Sequence, residues 1–280
     1  MQHPFASCSQ PPGMIIMNTG LLFLTLTLMS VPAWTQVSLR DLNKKPKANL
    51  VLELKSTGGT NGSALAWSPT SKVYCSVIAG NGEFPLDLFS ETGVHLQTTM
   101  AREDMRGLCF NPMYSVFEGN TYTHGDVVSF RIEAGRLIEE EPHFELTGLP
   151  IPDKQLVLTL DTAKNQPVYL NRDASSFHFI NSESGEPLKE LSIQFPSPYD
   201  EINYTSLIYT GISEAPYGVL NYAKKLIYLY SDNGGSPVVI IKLPKNAVTG
   251  EMFRFSFANN HVWLYDVNSR SWTGYKITRK

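Results

Sequence analysis

Asn61–Pro69 reads NGSALAWSP, and Asp104–Pro112 reads DMRGLCFNP. Both run small residue, Leu, small residue, aromatic, one further residue, then Pro, and their leucines, Leu65 and Leu108, stand 43 residues apart. A second unit, an aromatic-bearing strand that turns into another strand, recurs as DLFSETGVHL, SFRIEAGRLI, HFINSESGEPL, LYSDNGGSPVV and LYDVNSRSWTGY. Its marker aromatics Phe89, Phe130, Phe179, Tyr230 and Tyr265 are spaced by 41, 49, 51 and 35 residues. Self-similarity at about 40–50 residues is the mark of a supersecondary unit that is stable only when stacked on copies of itself.

Outward from these repeats, short β-branched and aromatic runs alternate with clusters of Gly, Pro, Asn, Asp and Ser. NLVLEL, VYCSVIAG, VVSFRI, QLVLTL, PVYL, SFHFI, LIYLY, PVVIIKL, FRFSF and HVWLY read as strands, and no apolar stripe of helical period lasts three turns. The domain is therefore all-β, and the period predicts a β-propeller of about five four-stranded blades. A six-bladed ring, at about 39 residues per blade, is the alternative count. The last spacing is short by one strand while NLVLEL stands alone at the other end. A ring must hide its sheet edges, so Asn49–Ser56 is expected to pair with FRFSF, HVWLY and WTGYKI and close the domain over residues 49–280.

The segment ALAWSPTSKVYCSV (Ala64–Val77) resembles the inner strand, Ser-Pro turn and second strand of WD40-like and YVTN-type β-propellers. The resemblance implies fold only. Trp-Asp and Gly-His signatures are absent, Tyr265-Asp266 being the nearest approach, and propellers host enzymes, lectins and scaffolds alike.

Residues 1–39 contain no Lys, Arg, Asp or Glu, and Leu21–Trp34 is almost continuously apolar. The run is too short to span a membrane and matches the core of a secretory signal peptide. Residues 1–36 are read as that signal, with Met14 or Met17 as alternative starts, and 37–48 as a linker in which Lys44, Lys45 and Lys47 are solvated. The mature protein is expected to be secreted or periplasmic, monomeric and without a stable membrane anchor. Its net charge of −3 over 280 residues gives no general pull toward phosphate, which argues against nucleic acid. Of three cysteines, Cys8 leaves with the signal; Cys75 and Cys109 either pair or stay as two buried thiols.

Ligands of such a ring meet the loops at one end of its tunnel. Asn61, Asp104, Asp153, Glu201 and Glu251 each precede an expected inner strand, so they are candidates to ring one mouth. Convergent oxygens there could hold a hard cation such as Ca²⁺, with Asp104, Asp153 and Glu201 as metal ligands. Such a site would resemble the gluconolactonase-like propellers, although no motif supports the transfer. Asp104 with Asp153 or Glu201 could also serve as a glycosidase pair. Arg172, in the charged turn Asn171-Arg172-Asp173, could clamp a carboxylate or sugar acid. The acidic run Glu139-Glu140-Glu141 reads as a solvent-facing outer strand.

Ser68, Ser176 and Ser206 lack a nucleophile elbow, and no sequence signal sets a His beside them. His95, His124, His143, His178 and His261 are scattered one per segment, and alternation turns His178 away from Phe177 and Phe179. Seven tyrosines between Tyr199 and Tyr230 serve either as core or as a stacking platform. Asn61-Gly62-Ser63 and Asn203-Tyr204-Thr205 fit the N-glycosylation sequon. The leading expectation is a non-enzymatic module that binds a protein or carbohydrate through one face, with no cofactor evident. The alternative is a divalent-metal-dependent lactonase or related hydrolase at the mouth.

Overall fold

Among the described residues, six turns whose fifth residue is not glycine share one chemistry: Ser68–Lys72, Asn111–Ser115, Asp161–Asn165, Asn171–Ser175, Asn221–Lys225 and Asp266–Arg270. In each, the first side-chain oxygen accepts a backbone N–H two or three residues on. The fifth residue is left-handed, with φ between 50 and 56°. Ser, Asn and Asp fold the chain back by bonding their own backbone, and the left-handed residue re-enters the next strand. Half of these turns join first strands to second, and the other half join second strands to third.

The computed structural model describes residues 38–59, 61–80, 82–122, 126–133, 136–139 and 155–279. They form five four-stranded antiparallel sheets. Blade 1 holds β2 (Asn61–Ser68), β3 (Val73–Ala79), β4 (Pro85–Ser90) and β5 (His95–Met100). Blade 2 holds β6 (Cys109–Asn111), β7 (Val116–Asn120), β8 (Val127–Glu133) and β9 (Arg136–Glu139). Blade 3 holds β10 (Thr159–Asp161), β11 (Gln166–Asn171), β12 (Ser176–Ile180) and β13 (Pro187–Ser192). Blade 4 holds β14 (Ile208–Tyr209), β15 (Tyr217–Asn221), β16 (Leu226–Tyr230) and β17 (Val239–Lys242).

Blade 5 is composite. Its first three strands, β18 (Phe255–Ala258), β19 (His261–Asp266) and β20 (Ser271–Lys276), come from the end of the chain. The fourth is β1 (Ala48–Glu53), paired antiparallel to β20 with Leu52 opposite Trp272. The expected closing strand is thus found, on the outer edge of the last blade. The count is five blades, not six.

The inner strands β2, β6, β10, β14 and β18 neighbour one another around the ring, and β18 meets β2. Burial follows the seams between blades: five apolar clusters fill the five junctions. Trp263, Trp272, Tyr74 and Tyr265 close the junction of blades 5 and 1, each fully buried. Burying such a ring contributes roughly 1.5–3 kcal/mol. Apolar packing at the seams between blades, not a single central core, therefore holds the ring.

Two sequence expectations need correction. Phe89, Phe130, Phe179 and Tyr230 lie on the third strand of their blades, but Tyr265 lies on β19, the second strand of blade 5. The fifth marker comes one strand early, which accounts for the short last spacing. The linker expected over 37–48 is in part structural. Ser38 caps a single 3-10 turn, Leu42 is 2 % exposed and bridges Thr278, and Lys242 N–H donates to the Lys44 carbonyl at 2.9 Å. Leu42 and Pro46 are buried and backbone hydrogen bonds tie the stretch to Ile277 and Arg279, while Lys44, Lys45 and Lys47 stay exposed. The expected signal segment 1–36 and Glu140 and Glu141 lie outside the described residues.

Candidate functional site

At the end of the ring where the inner strands begin there is a cavity of about 340 Å³. Its walls come from four blades: Asn61, Ala79 and Gly80, then Asp104, Arg106 and Tyr122, then Gln155, then Met252 and Phe253. A lining shared among four blades places it around the axis of the ring.

Arg106 spans this mouth. Its fork donates to both oxygens of Asp104, Nη2 to Oδ2 at 2.8 Å, and its Nε donates to Gln155 Oε1 of the next blade at 2.8 Å. The guanidinium lies over the Tyr122 ring at 4.4 Å and reaches within 5.7 Å of the Phe253 ring. A planar, always-charged group suits this combination of bidentate pairing and stacking. The side chains of Arg106 and Asp104 are 6 and 11 % exposed. Removing one partner would strand a charge, at a cost of about 3–5 kcal/mol.

The opposite wall is strained. Phe253 and Arg254 take φ of 48 and 60°, an unusual pair for bulky residues just before a strand. A buried amide over-determines them. Asn203 Nδ2 donates to the carbonyls of Gly250 and Phe253 at 2.9 and 3.0 Å, and its Oδ1 accepts from Thr205 and Ser206 N–H. Thr205 Oγ1 then accepts the Phe253 N–H at 2.6 Å. The rigid result presents Phe253 to the cavity and sends Arg254 back to Asn61, Nη2 to Oδ1 at 2.8 Å.

The pre-strand residues separate. Asn61 and Asp104 do meet at the mouth. Asp153 lies outside the described residues. Glu201 does not line the cavity: it accepts from Lys224 Nζ at 2.7 Å and from Asn221 Nδ2 at 3.0 Å, and the Lys224 hydrogen bond holds its carboxyl below the usual range. Glu251 is exposed and contributes its carbonyl to Tyr204 N–H at 2.9 Å. Among the described residues no three His, Cys, Asp or Glu side chains gather as a metal-holding group. Both Asp104 oxygens face a guanidinium, a poor setting for a cation.

Arg172 sits on the rim, in the β11–β12 turn. Its guanidinium lies 5.3 Å from the Tyr199 ring centroid and 5.2 Å from that of Tyr204. Tyr204 OH in turn donates to Met252 Sδ at 3.2 Å. An unbroken line of side chains therefore runs from the exposed Tyr199 through Arg172 and Tyr204 to Met252 in the cavity wall.

Contrary to the sequence reading, a His does stand beside Ser176: His178 Nε2 is 2.8 Å from its Oγ. Glu190 approaches the same nitrogen at 3.7 Å. A relay needs serine and acid on opposite ring nitrogens, so this trio cannot work as one. Burial lowers the His178 pKa, and the ring stacks on Tyr169 at 4.9 Å, as alternation requires. Cys75 and Cys109 are unpaired thiols, and burial pushes both pKa values up. Tyr217, Tyr228 and Tyr230 are core, whereas Tyr199 is 60 % exposed. The Asn203 sequon offers no free amide, because Asn203 is fully buried, whereas Asn61 is partly exposed with its Oδ1 held by Arg254.

Arg106, Arg254 and Phe253 are the residues the sequence reading missed. A signal existed for the first. Asp104-Met105-Arg106 has i, i+2 spacing, which on an extended chain turns both charges to one side. Arg254 and Ser256 also both reach blade 1, Arg254 to Asn61 and Ser256 Oγ to Leu65 N–H, but there the left-handed backbone at Arg254 sets the direction.

No family model and no curated protein matches the chain. Among solved structures it is similar to the β-propeller domain of Cps50 (Swd1) from Myceliophteria thermophila, at 11% identity over 78% of this chain and 83% of that one, TM-score 0.43. It is also similar to a protein from Lactobacillus plantarum, at 13% identity over 80% of this chain and 57% of that one, TM-score 0.35. A nidogen/laminin complex matches at 13% identity over 73% and 72%, TM-score 0.43. By its own sheet order, inner-strand ring and composite last blade, the chain is a five-bladed β-propeller.

Proposed function

We propose that the protein is exported and acts as a binding module, taking a protein segment on the mouth face. One observation carries this reading: the line Tyr199, Arg172, Tyr204, Met252 and Phe253 leads from an exposed rim into a cavity whose walls are already fixed by internal hydrogen bonds. Tyr, Phe, Met and Arg are the side chains that protein interfaces favour. A wall held in place before binding saves the ordering cost that weakens flexible sites. Asn203, Thr205 and the Arg106–Asp104 fork supply that rigidity. Catalysis draws no comparable support, since the Ser176–His178 contact has the wrong geometry and Asp104 is engaged.

Peptide-display selection on the immobilised protein tests the reading, with a Tyr199→Ala, Arg172→Ala double variant as counter-selection. Enriched peptides should lose at least about tenfold in affinity on the variant, the ~1.4 kcal/mol expected of one aromatic or arginine anchor. Peptides that bind both proteins equally would remove the rim from the account. Saturable glycan binding in place of peptide binding would change the partner class.

A further inference from the structure

The outer flank of blade 4 is basic, although the chain as a whole carries a net charge of −3. Three stretches without a single Asp or Glu meet there: 43–52, 222–231 and 233–250. Together they bring seven lysines, and hydrogen bonds hold the stretches in contact. Lys242 N–H donates to the Lys44 carbonyl at 2.9 Å, and Leu243 N–H donates to the Lys225 carbonyl at 3.0 Å. Lys225 Nζ donates to the Lys245 carbonyl, and Thr249 Oγ1 donates to the Tyr222 carbonyl at 2.8 Å. The end of β17, the turn before β16 and the stretch that leads into β1 are thereby side by side.

Most of this charge has no internal use. Lys224 is neutralised by Glu201 at 2.7 Å, and Lys225 is spent on the Lys245 carbonyl. Lys44, Lys45, Lys47, Lys242 and Lys245 are exposed, and among the described residues none of their ammonium groups meets an acceptor. Of the acids that border the three stretches, Glu53 pairs with Lys55 and Asp232 with Lys164. That leaves the half-buried Asp41 and the exposed Glu251 against five unpaired ammonium groups.

The same flank is also apolar. Burial alternates along 238–242: Val239 and Ile241 enter the seam with blade 5, while Val238, Ile240 and Lys242 point outward. Val238 and Ile240 are 48 and 46 % exposed, and Val248, in the loop that carries Lys245, is 44 % exposed. A sheet face that meets only water alternates to polar residues on that side, yet here aliphatic side chains lead up to lysine. The partner must therefore be anionic at its surface and apolar just beneath. The three stretches contain no arginine, the residue whose planar fork matches a particular carboxylate. Lysines are point charges on flexible stems, and a fluid layer of anionic headgroups asks only for their number and nearness.

We propose that this flank docks peripherally on an anionic phospholipid bilayer, with Lys44, Lys45, Lys242 and Lys245 against the headgroups and Ile240 and Val248 at the acyl boundary. Electrostatic attraction brings the flank to the surface, and the small apolar contact holds it there reversibly. The proposal is independent of the peptide-binding reading, since none of these residues lines the mouth cavity.

Vesicle co-sedimentation of the full protein tests this, with phosphatidylcholine vesicles that are pure or contain about one third phosphatidylglycerol. Binding should be much tighter to the anionic vesicles and should fade as salt rises. The triple variant Lys44→Gln, Lys242→Gln, Lys245→Gln should lose on the order of a hundredfold in affinity, about fivefold per lysine. The triple Lys→Arg variant keeps the charges and should bind as the parent does. Ile240→Ser with Val248→Ser should weaken binding several-fold at every salt concentration. The apolar run Leu21–Trp34 is common to all these proteins and gains nothing from lipid charge, so the difference between vesicles and between variants carries the result. Equal binding to the two vesicles, or equal binding of the Gln and Arg variants, overturns the proposal. Binding of polyglutamate without binding of anionic vesicles overturns it too, and assigns the flank to an acidic protein. All substituted side chains are exposed, so the variants should melt with the parent, and peptides selected at the mouth should bind them unchanged.

Discussion

At the seam between blades 3 and 4, Phe179 meets Tyr217 edge-on at 5.5 Å, and Phe177 meets Tyr230 in the same way at 5.5 Å. A buried carboxylate, Asp161, accepts from Tyr217 OH at 2.6 Å and from Lys164 Nζ at 3.2 Å while capping its own turn. At the seam between blades 5 and 1, Tyr74 meets Trp263 edge-on at 5.1 Å and Tyr265 packs on Trp272 at 5.2 Å. There Arg270 clamps the crossing segment through three backbone carbonyls and Arg254 bonds Asn61 Oδ1. Apolar packing is equivalent in the two; polar accounting is not. Blades 3 and 4 follow each other in the chain and pair their buried carboxylate with a lysine, whereas closure joins distant segments, spends its guanidinium groups on carbonyl and amide oxygens and holds its buried carboxylate, Asp87, on Ser56.

The strongest test of equivalent packing is truncation. Trp272→Ala and Phe177→Ala should each cost about 3–5 kcal/mol in urea-induced unfolding, as buried aromatics do. A cost under about 1 kcal/mol at Trp272 would mean that the ring is not held at its closure. The contrast in polar accounting is sharpened by Asp161→Asn, which should cost about 2 kcal/mol by weakening the acceptor shared by Tyr217 and Lys164. No detectable change in the midpoint would place that carboxylate outside the stability of the seam.

Alkaline titration compares the two seams in one experiment. Burial pushes the Tyr74 phenol up to about 12, and Tyr217, with Asp161 beside it, and Tyr230 further still. The folded values lie above the unfolded one, so this stability is complete below pH ~10 and drains away as pH rises through the folded values. Each protected phenol should cost about 1.4 kcal/mol per pH unit above ~10. Absorbance near 295 nm should show Tyr74 ionising before Tyr217; simultaneous ionisation at pH ~10 would contradict the burial of both.

The smallest effect belongs to the rim. Arg172→Ala should change stability by no more than about 0.5 kcal/mol, because its Asp173 partner is exposed and its ring contacts are at the surface. A larger thermal shift would assign Arg172 to the frame of blade 3 instead of to the binding face.

Much of this architecture could be read from the chain. The Leu65 and Leu108 repeats mark two inner strands, and four of five aromatic markers fall on third strands. The orphan NLVLEL becomes the closing strand. The site was less legible. Asn61 and Asp104 reach the mouth, but Glu201, partly buried, turns to Lys224 in the Asn221–Lys225 turn of the same blade. Arg254 was hidden inside FRFSF, where a strand reading gives no hint of two left-handed residues.

What the sequence determined by itself is what local chemistry and period can encode: turns capped by Ser, Asn and Asp, alternation within strands, a repeat near 40–50 residues, and one strand left over to close it. The tertiary structure alone decided which polar side chains face one another. That depends on contacts between segments as distant as Asn61 and Arg254, and on a buried amide at Asn203 that forces Phe253 and Arg254 into conformations neither would adopt alone. Period fixes where a blade begins, but only packing fixes where its loops point.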